Sequence, residues 1–169
     1  MKFSDIIESL NNDKWGFTEV TPSEFDEQLS ELTTLDLEDD QVRYPRSEGR
    51  GGKYIFGGRG YSLFLLDRNE LPISGPFEII IEDSNSDDII GFIRATKHKN
   101  IISINLIHIL EEKRGWGIGS DIYEKFLNSG LIIKSDTEIT DSTYSLYYRL
   151  MLNGFKPLIF NDDTVGLMK

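Results

Sequence analysis

The chain has 169 residues, 29 acidic and 18 basic, giving a formal net charge of −11, and it contains no cysteine. That length fits one domain able to bury a core without staples. The missing cysteine excludes a disulfide, a cysteine nucleophile and a thiolate metal site, while the acidic balance argues against a nucleic-acid backbone as the main ligand.

The opening stretch MKFSDIIESLNND has one early lysine and then turns acidic, unlike a signal peptide. The apolar runs all fall short of the roughly 18 residues a membrane span needs, so a soluble, cytoplasmic protein is expected. Thr21-Pro-Ser-Glu-Phe reads as a helix start, with Thr21 as cap, Pro22 at the first helical position and Glu24 in the first turn. Phe25, Leu29 and Leu32 follow on one face. From Ser23 to Asp40 the chain carries eight acidic residues and no basic one, either a solvated surface or a docking face for a basic partner.

Arg43–Tyr61, RYPRSEGRGGKYIFGGRGY, holds six glycines and five basic residues with aromatics between them. It lacks the spacing of a nucleotide-binding loop and reads as a mobile or substrate-covering loop, with a direct anion-binding role as the alternative. YSLFLLD, FEIIIED, IIGFIRATK and IISINLIHIL then alternate with turns, and the last three are expected to form an antiparallel meander. A helix is expected from about Gly119 to Asn128, a buried run from Leu131, a second helix over Asp141–Leu152 and a closing hairpin. The fold class is therefore α+β, a mixed and mainly antiparallel central sheet flanked by helices. It reads as a single domain, with residues 1–60 as N-terminal helices plus the glycine-rich loop and 61–169 as the core.

His98 and His108 lie ten residues apart on strand-like segments, which is no metal-ligand spacing. No metal site is expected. Strict alternation along the strand puts His108 on the face opposite Ser103 and Asn105.

KRGWGIGSD, from Lys113 to Asp121, puts Gly115, Gly117 and Gly119 between an apolar strand and a helix. A glycine-rich turn opening a helix is a ready anion site, because unpaired amides and the helix dipole face the ligand. A dinucleotide fold would need a parallel βαβ unit and GxGxxG, but the strands here are joined by tight turns. A P-loop would need a lysine before its serine, and Ser120 has none.

Arg114-Gly115-Trp116-Gly117-Ile118-Gly119 matches R-x-x-G-x-G, and the chain resembles the Gcn5-related N-acetyltransferase (GNAT) superfamily over about Phe77 to Lys169. TDSTYSLYYRLMLNGF, from Thr140, is similar to the late Leu-Tyr helix of that family. The short helix and the extra residues before Gly154 resemble a divergent, phage-like subgroup. The resemblance implies acetyl-CoA as co-substrate, an acyl-CoA site in the 61–169 core, and transfer to an amine. Amides of Trp116, Gly117, Ile118, Gly119 and Ser120 would hold the pyrophosphate, with Arg114 adding charge and Gly115 shaping the turn. Backbone groups of Ile107 and Ile109 would pair with the pantetheine arm. Many members carry a glutamate eleven residues before the motif's arginine, where this chain has Ser103, with Asn105 beside it. Tyr147 matches the family's general acid, and Tyr144 and Tyr148 are its substitutes. The acceptor implied is an amine-bearing small molecule or a basic protein, without a membrane; the oligomeric state is left open. The alternative is a GNAT-fold interaction or inhibitor protein that has lost catalysis.

Overall fold

The computed structural model describes residues 2, 13–35, 42, 52–66 and 70–169. Its first elements are β1 (Phe17–Glu19), α1 (Pro22–Glu31) and β2 (Thr33–Thr34). α1 begins as expected: the Thr21 hydroxyl accepts from the Glu24 amide at 3.2 Å, and Pro22 needs no partner at its position. Phe25 and Leu29 are fully buried beneath it. Residues 36–40 of the acidic run and 43–51 of the glycine-rich segment lie outside the described residues.

The rest of that segment is not a loop. Lys53–Gly58 forms strand β3, paired antiparallel with β4 (Tyr61–Leu65). The alternation of apolar and polar positions is interrupted there by Gly57 and Gly58, which hides the strand from a reading by composition. β5 (Ser74–Asp83), β6 (Ile89–His98) and β7 (Ile101–Ile109) follow as the expected meander. A short 3-10 turn over Glu111–Lys113 leads into α2 (Ile118–Asn128). Then come β8 (Ile132–Lys134), β9 (Glu138–Ile139), α3 (Asp141–Leu152) and the hairpin β10 (Lys156–Phe160) with β11 (Val165–Met168).

Among the described residues, nine strands form one mixed sheet in the order β1-β10-β11-β8-β7-β6-β5-β4-β3, and β2 pairs with β9 in a separate parallel ladder. The main sheet is antiparallel except where β7 meets β8. α1, α2 and α3 bury Phe25, Leu29, Ile122, Phe126 and Leu150 in the same apolar core as Leu63, Ile79, Ile93 and Leu167 of the sheet. A smaller cluster of Ile101, Ile132, Leu158 and Phe160 packs with Trp15. No described helix is long and apolar enough to cross a membrane.

One irregularity of β7 decides where the site residues point. Ala95 pairs with Ile104 and Arg94 with Leu106, so Asn105 is an extra residue, a β-bulge. A one-residue insertion flips every side chain after it to the other face. His108, opposite Phe92, therefore shares a face with Ser103, opposite Thr96, and the strict-alternation expectation for His108 is corrected.

Candidate functional site

β7 and β8 pair in parallel only at Ile101, Ile102 and Ser103, the last against Lys134. Beyond Ser103 the two strands have no shared ladder, and among the described residues β7 runs on to Ile109 with one edge open on that side. Leu110 donates its amide to the Ile90 carbonyl at 2.9 Å, so the residues in step with it aim their backbone groups at β6. Ile107 and Ile109, out of step, aim theirs at the open side. The Ile109 carbonyl is engaged there, accepting from Arg114 Nε at 2.8 Å.

At the outer end of this edge the glycine stretch turns the chain into α2. Gly115 and Gly117 hold φ of 82° and 78°, the left-handed region that a side chain resists, and Gly117 is the N-cap. The first intrahelical bond runs from the Asp121 amide to the Gly117 carbonyl at 3.0 Å, and no described side chain caps the helix. The amides ahead of Asp121 thus have no partner within the helix and concentrate the positive end of its dipole. Gly119 has a different role from the other two. Its backbone is ordinary, and an added Cβ would stand 3.7 Å from Ile109 Cδ1 and 3.8 Å from Leu146 Cδ2, inside the gap between β7 and α3.

That gap is a cleft of about 440 Å3, walled by Leu106 to Ile109, the Arg114 to Ser120 turn and the first two turns of α3. Thr140 caps α3, its hydroxyl accepting from the Thr143 amide at 3.2 Å. Two helix starts and two arginines, Arg114 and Arg149, therefore line one cleft in a chain of strongly negative charge. Trp116, 69% exposed, stands outside it with Lys113 Nζ 4.9 Å above its ring.

Adjoining the cleft, and sharing Leu106, Ile107, Thr140 and Thr143 with it, is a throat, a smaller space of about 20 Å3 with room for one water-sized group. Asn105, Ile107, Tyr123, Glu138 and Thr140 line it. Asn105 reaches it because the bulge exposes it, and its Oδ1 accepts from the Thr96 hydroxyl at 3.3 Å. Ser103 is buried and lines neither space.

Tyr147 also lines neither, although it is almost completely buried on the inward face of α3. Its ring meets that of Tyr123 edge-on, centroids 5.8 Å apart. The two hydroxyls lie close enough to influence each other's ionisation, yet neither makes a well-formed hydrogen bond. Burial, and then its neighbour Tyr123, pushes the Tyr147 hydroxyl pKa well up; burial does the same for Tyr123, with Tyr147 acting in the opposite sense. Both stay protonated. An unpaired buried hydroxyl costs about 1–3 kcal/mol.

α2 is fixed from below by a polar clamp. The Tyr61 hydroxyl donates to Asp121 Oδ2 at 2.5 Å, Lys125 Nζ reaches the same oxygen at 2.7 Å, and Lys125 also donates to the Gly57 carbonyl at 3.1 Å. Gly58 leaves room for this contact, since a Cβ there would collide with Asp121 and Tyr61. Burial alone would raise the Asp121 carboxyl, but the Lys125 and Tyr61 hydrogen bonds outweigh it and hold it low. The described end of the glycine-rich segment thus braces the cradle helix.

Tyr123, Glu138, Arg149 and Thr140 were not singled out as site residues from the sequence. Thr140 was readable as a cap in T-x-x-T before an apolar helix, whereas Tyr123 sits in the apolar stripe Ile122, Phe126, Leu127 and reads as core.

No protein-family model matches the chain, and no curated protein matches it. Among solved structures it is similar to a putative acetyltransferase from Sphaerobacter thermophilus, at 12% identity and TM-score 0.42, over 68% of this chain and 94% of that one. It is also similar to a GNAT-family acetyltransferase from Staphylococcus aureus, at 14% identity and TM-score 0.41, over 90% and 97%. A third likeness is to Arabidopsis thaliana NAA60 in complex with a bisubstrate analogue, at 13% identity and TM-score 0.36, over 90% and 94%. Likeness this distant carries no functional argument, which rests instead on the cleft.

Proposed function

We propose that the protein is an N-acyltransferase of the Gcn5-related type, moving an acetyl group from acetyl-CoA to an amine. One observation carries the reading: a left-handed glycine opens α2 so that bare amides stand at the mouth of a cleft floored by an open strand edge. Such a cleft suits a ligand with an anionic head and a long amide-bearing arm, and the Gly119 position, where a Cβ would enter the gap, fits it in shape.

Acetyl-CoA supplies an activated acetyl thioester. The amides of Trp116 to Ser120 bind the pyrophosphate with Arg114 beside them, and Gly115 and Gly117 set the turn. Ile107 and Ile109 offer backbone groups to the pantetheine arm, the Ile109 carbonyl being shared with Arg114. The reacting end then lies at the throat, where Asn105 orients the acceptor. Glu138, the one carboxylate lining the throat among the described residues, takes the proton that the amine sheds; Ser103, buried, has no direct part. The proton for the departing sulfur comes from the tyrosine pair, of which Tyr147 is the member on α3. The acidic surface suits a small cationic amine or a lysine of a basic protein as acceptor.

A second reading, a phage-type interaction or inhibitor protein with the same fold and no turnover, is favoured by the absence of any carboxylate on β7. A thermal-shift titration with acetyl-CoA, followed by an acetylation assay over an amine panel, separates the two. At a hundredfold excess over Kd the ligand should add about 2.7 kcal/mol, or roughly 5–10 °C in Tm. No shift would sink the acyltransferase reading; a shift with no acetylated amine would favour the second.

A further inference from the structure

Of the large apolar side chains exposed among the described residues, Trp116 alone is flanked in the chain by cleft-lining residues on both sides, Gly115 and Gly117. Both glycines hold left-handed backbone, so the shape of the turn carries the indole to the rim of the cleft. One face of the ring is taken. Lys113 Nζ stands 4.9 Å from the ring centroid, and Asp83 Oδ2 holds that ammonium at 2.8 Å. Asp83 is itself fixed, its Oδ1 accepting from the Asn85 amide at 2.8 Å. A ring covered on both faces could not keep 69% exposure, so the face away from Lys113 is open. An open aromatic face suits a second flat ring, and stacking there asks for no hydrogen-bond pattern.

We propose that this open face of Trp116 is the platform for the purine base of CoA, and that the site thereby prefers the nucleotide-bearing thiol to the pantetheine arm alone. This rests on the acyltransferase reading, which puts the diphosphate against the amides that start α2. The base is joined to that diphosphate through one ribose, so it emerges at the mouth of the cleft, where Trp116 stands, while the arm runs inward along β7. Lys113, tied to Asp83, keeps the indole from turning away as the base stacks on its other side.

Full-length wild type, Trp116→Ala and Trp116→Phe are titrated by calorimetry with CoA and with 4′-phosphopantetheine, which carries the arm without the base. Trp116→Ala should lose about tenfold or more in CoA affinity, the scale of one stacked base. Its affinity for 4′-phosphopantetheine should be unchanged. Trp116→Phe, which keeps a ring, should retain most of the CoA affinity. CoA should also quench the tryptophan emission of wild type. That quenching should vanish in Trp116→Ala, whose remaining tryptophan, Trp15, packs with Leu158 and Phe160 and does not line the cleft. Full CoA affinity in Trp116→Ala, or quenching that persists there, would remove the platform and leave the acyltransferase reading standing. Equal losses for both ligands would also overturn the platform, since the side chain would then be shaping the turn. Where the arm alone binds too weakly to titrate, the quenching decides. If wild type binds neither CoA nor 4′-phosphopantetheine, the acyltransferase reading falls and the platform with it.

Discussion

The two ends of the cleft are built from opposite materials. The outer end is made of glycines, bare amides and two arginines, open to water and held by backbone geometry. The inner end is a throat of about 20 Å3 backed by two tyrosines whose hydroxyls make no well-formed hydrogen bond among the described residues. An anion is well served by the first, because fixed amides need no reorganisation to receive it. On the proposed function, bond-breaking belongs to the second, where a buried donor counts for more than one in water. On this division, changes outside should alter affinity, and changes inside should alter chemistry.

The strongest break comes from Gly117→Val. A valine forced to φ of 78° is strained, and its side chain would stand in the space proposed for the pyrophosphate. Acetyl-CoA should no longer raise Tm at all, with the sheet retained by circular dichroism. Gly119→Ala gives the matched control, because its methyl meets Ile109 and Leu146 at ordinary contact distance. It should fold as well as wild type and lose only part of its affinity. Equal loss at both positions would mean that the open space, and not the left-handed turn, governs the outer end.

A milder test is Arg149→Gln. Arg149 is exposed at the cleft, and an exposed ion pair is worth about 0.2–1 kcal/mol. Affinity for acetyl-CoA should fall by up to about fivefold, and its dependence on salt should weaken. Unchanged affinity and salt response would confine the electrostatics to Arg114 and the amides.

The outer end was also the legible one. Glycines spaced between a strand and a helix mark a tight turn, which Gly115 and Gly117 make with their left-handed backbone, and α3 took its expected bounds because Thr140 caps it and Asn153 and Gly154 end it. The inner end was hidden for two physical reasons. Tyr123 lies within an apolar helical stripe, and nothing in its spacing tells a packed ring from one with an unmet hydroxyl. The bulge at Asn105 inserts one residue that no alternation signals, so His108 was assigned to the wrong face. β3 was missed because Gly57 and Gly58 resemble a loop, although Gly58 is there to let Asp121 and Tyr61 meet. The pairing of β2 with β9 is only two residues long on each side, too short for any pattern to show.

The smallest effect separates the foundations of the two ends. The cradle helix rests on an ionic clamp, Asp121 with Lys125 and Tyr61, while the throat rests on apolar packing. Asp121 is held low in the folded protein, against its own burial, by the Lys125 and Tyr61 hydrogen bonds. A carboxyl with a depressed folded pKa stabilises above its unfolded value, about 3.9, and that contribution fades as pH falls through the folded value. With 40% of the Asp121 side chain exposed, the gain is screened, and under about 1 kcal/mol is expected at neutral pH. Asp121→Asn should therefore lower the urea midpoint slightly at pH 7, and the gap to wild type should close below about pH 4. Tyr123→Phe should differ from wild type by the same amount at both pH values, because its hydroxyl stays protonated throughout. A gap for Asp121→Asn that persists undiminished in acid would mean that the clamp acts through shape alone, and the ionic footing of the outer end would be wrong.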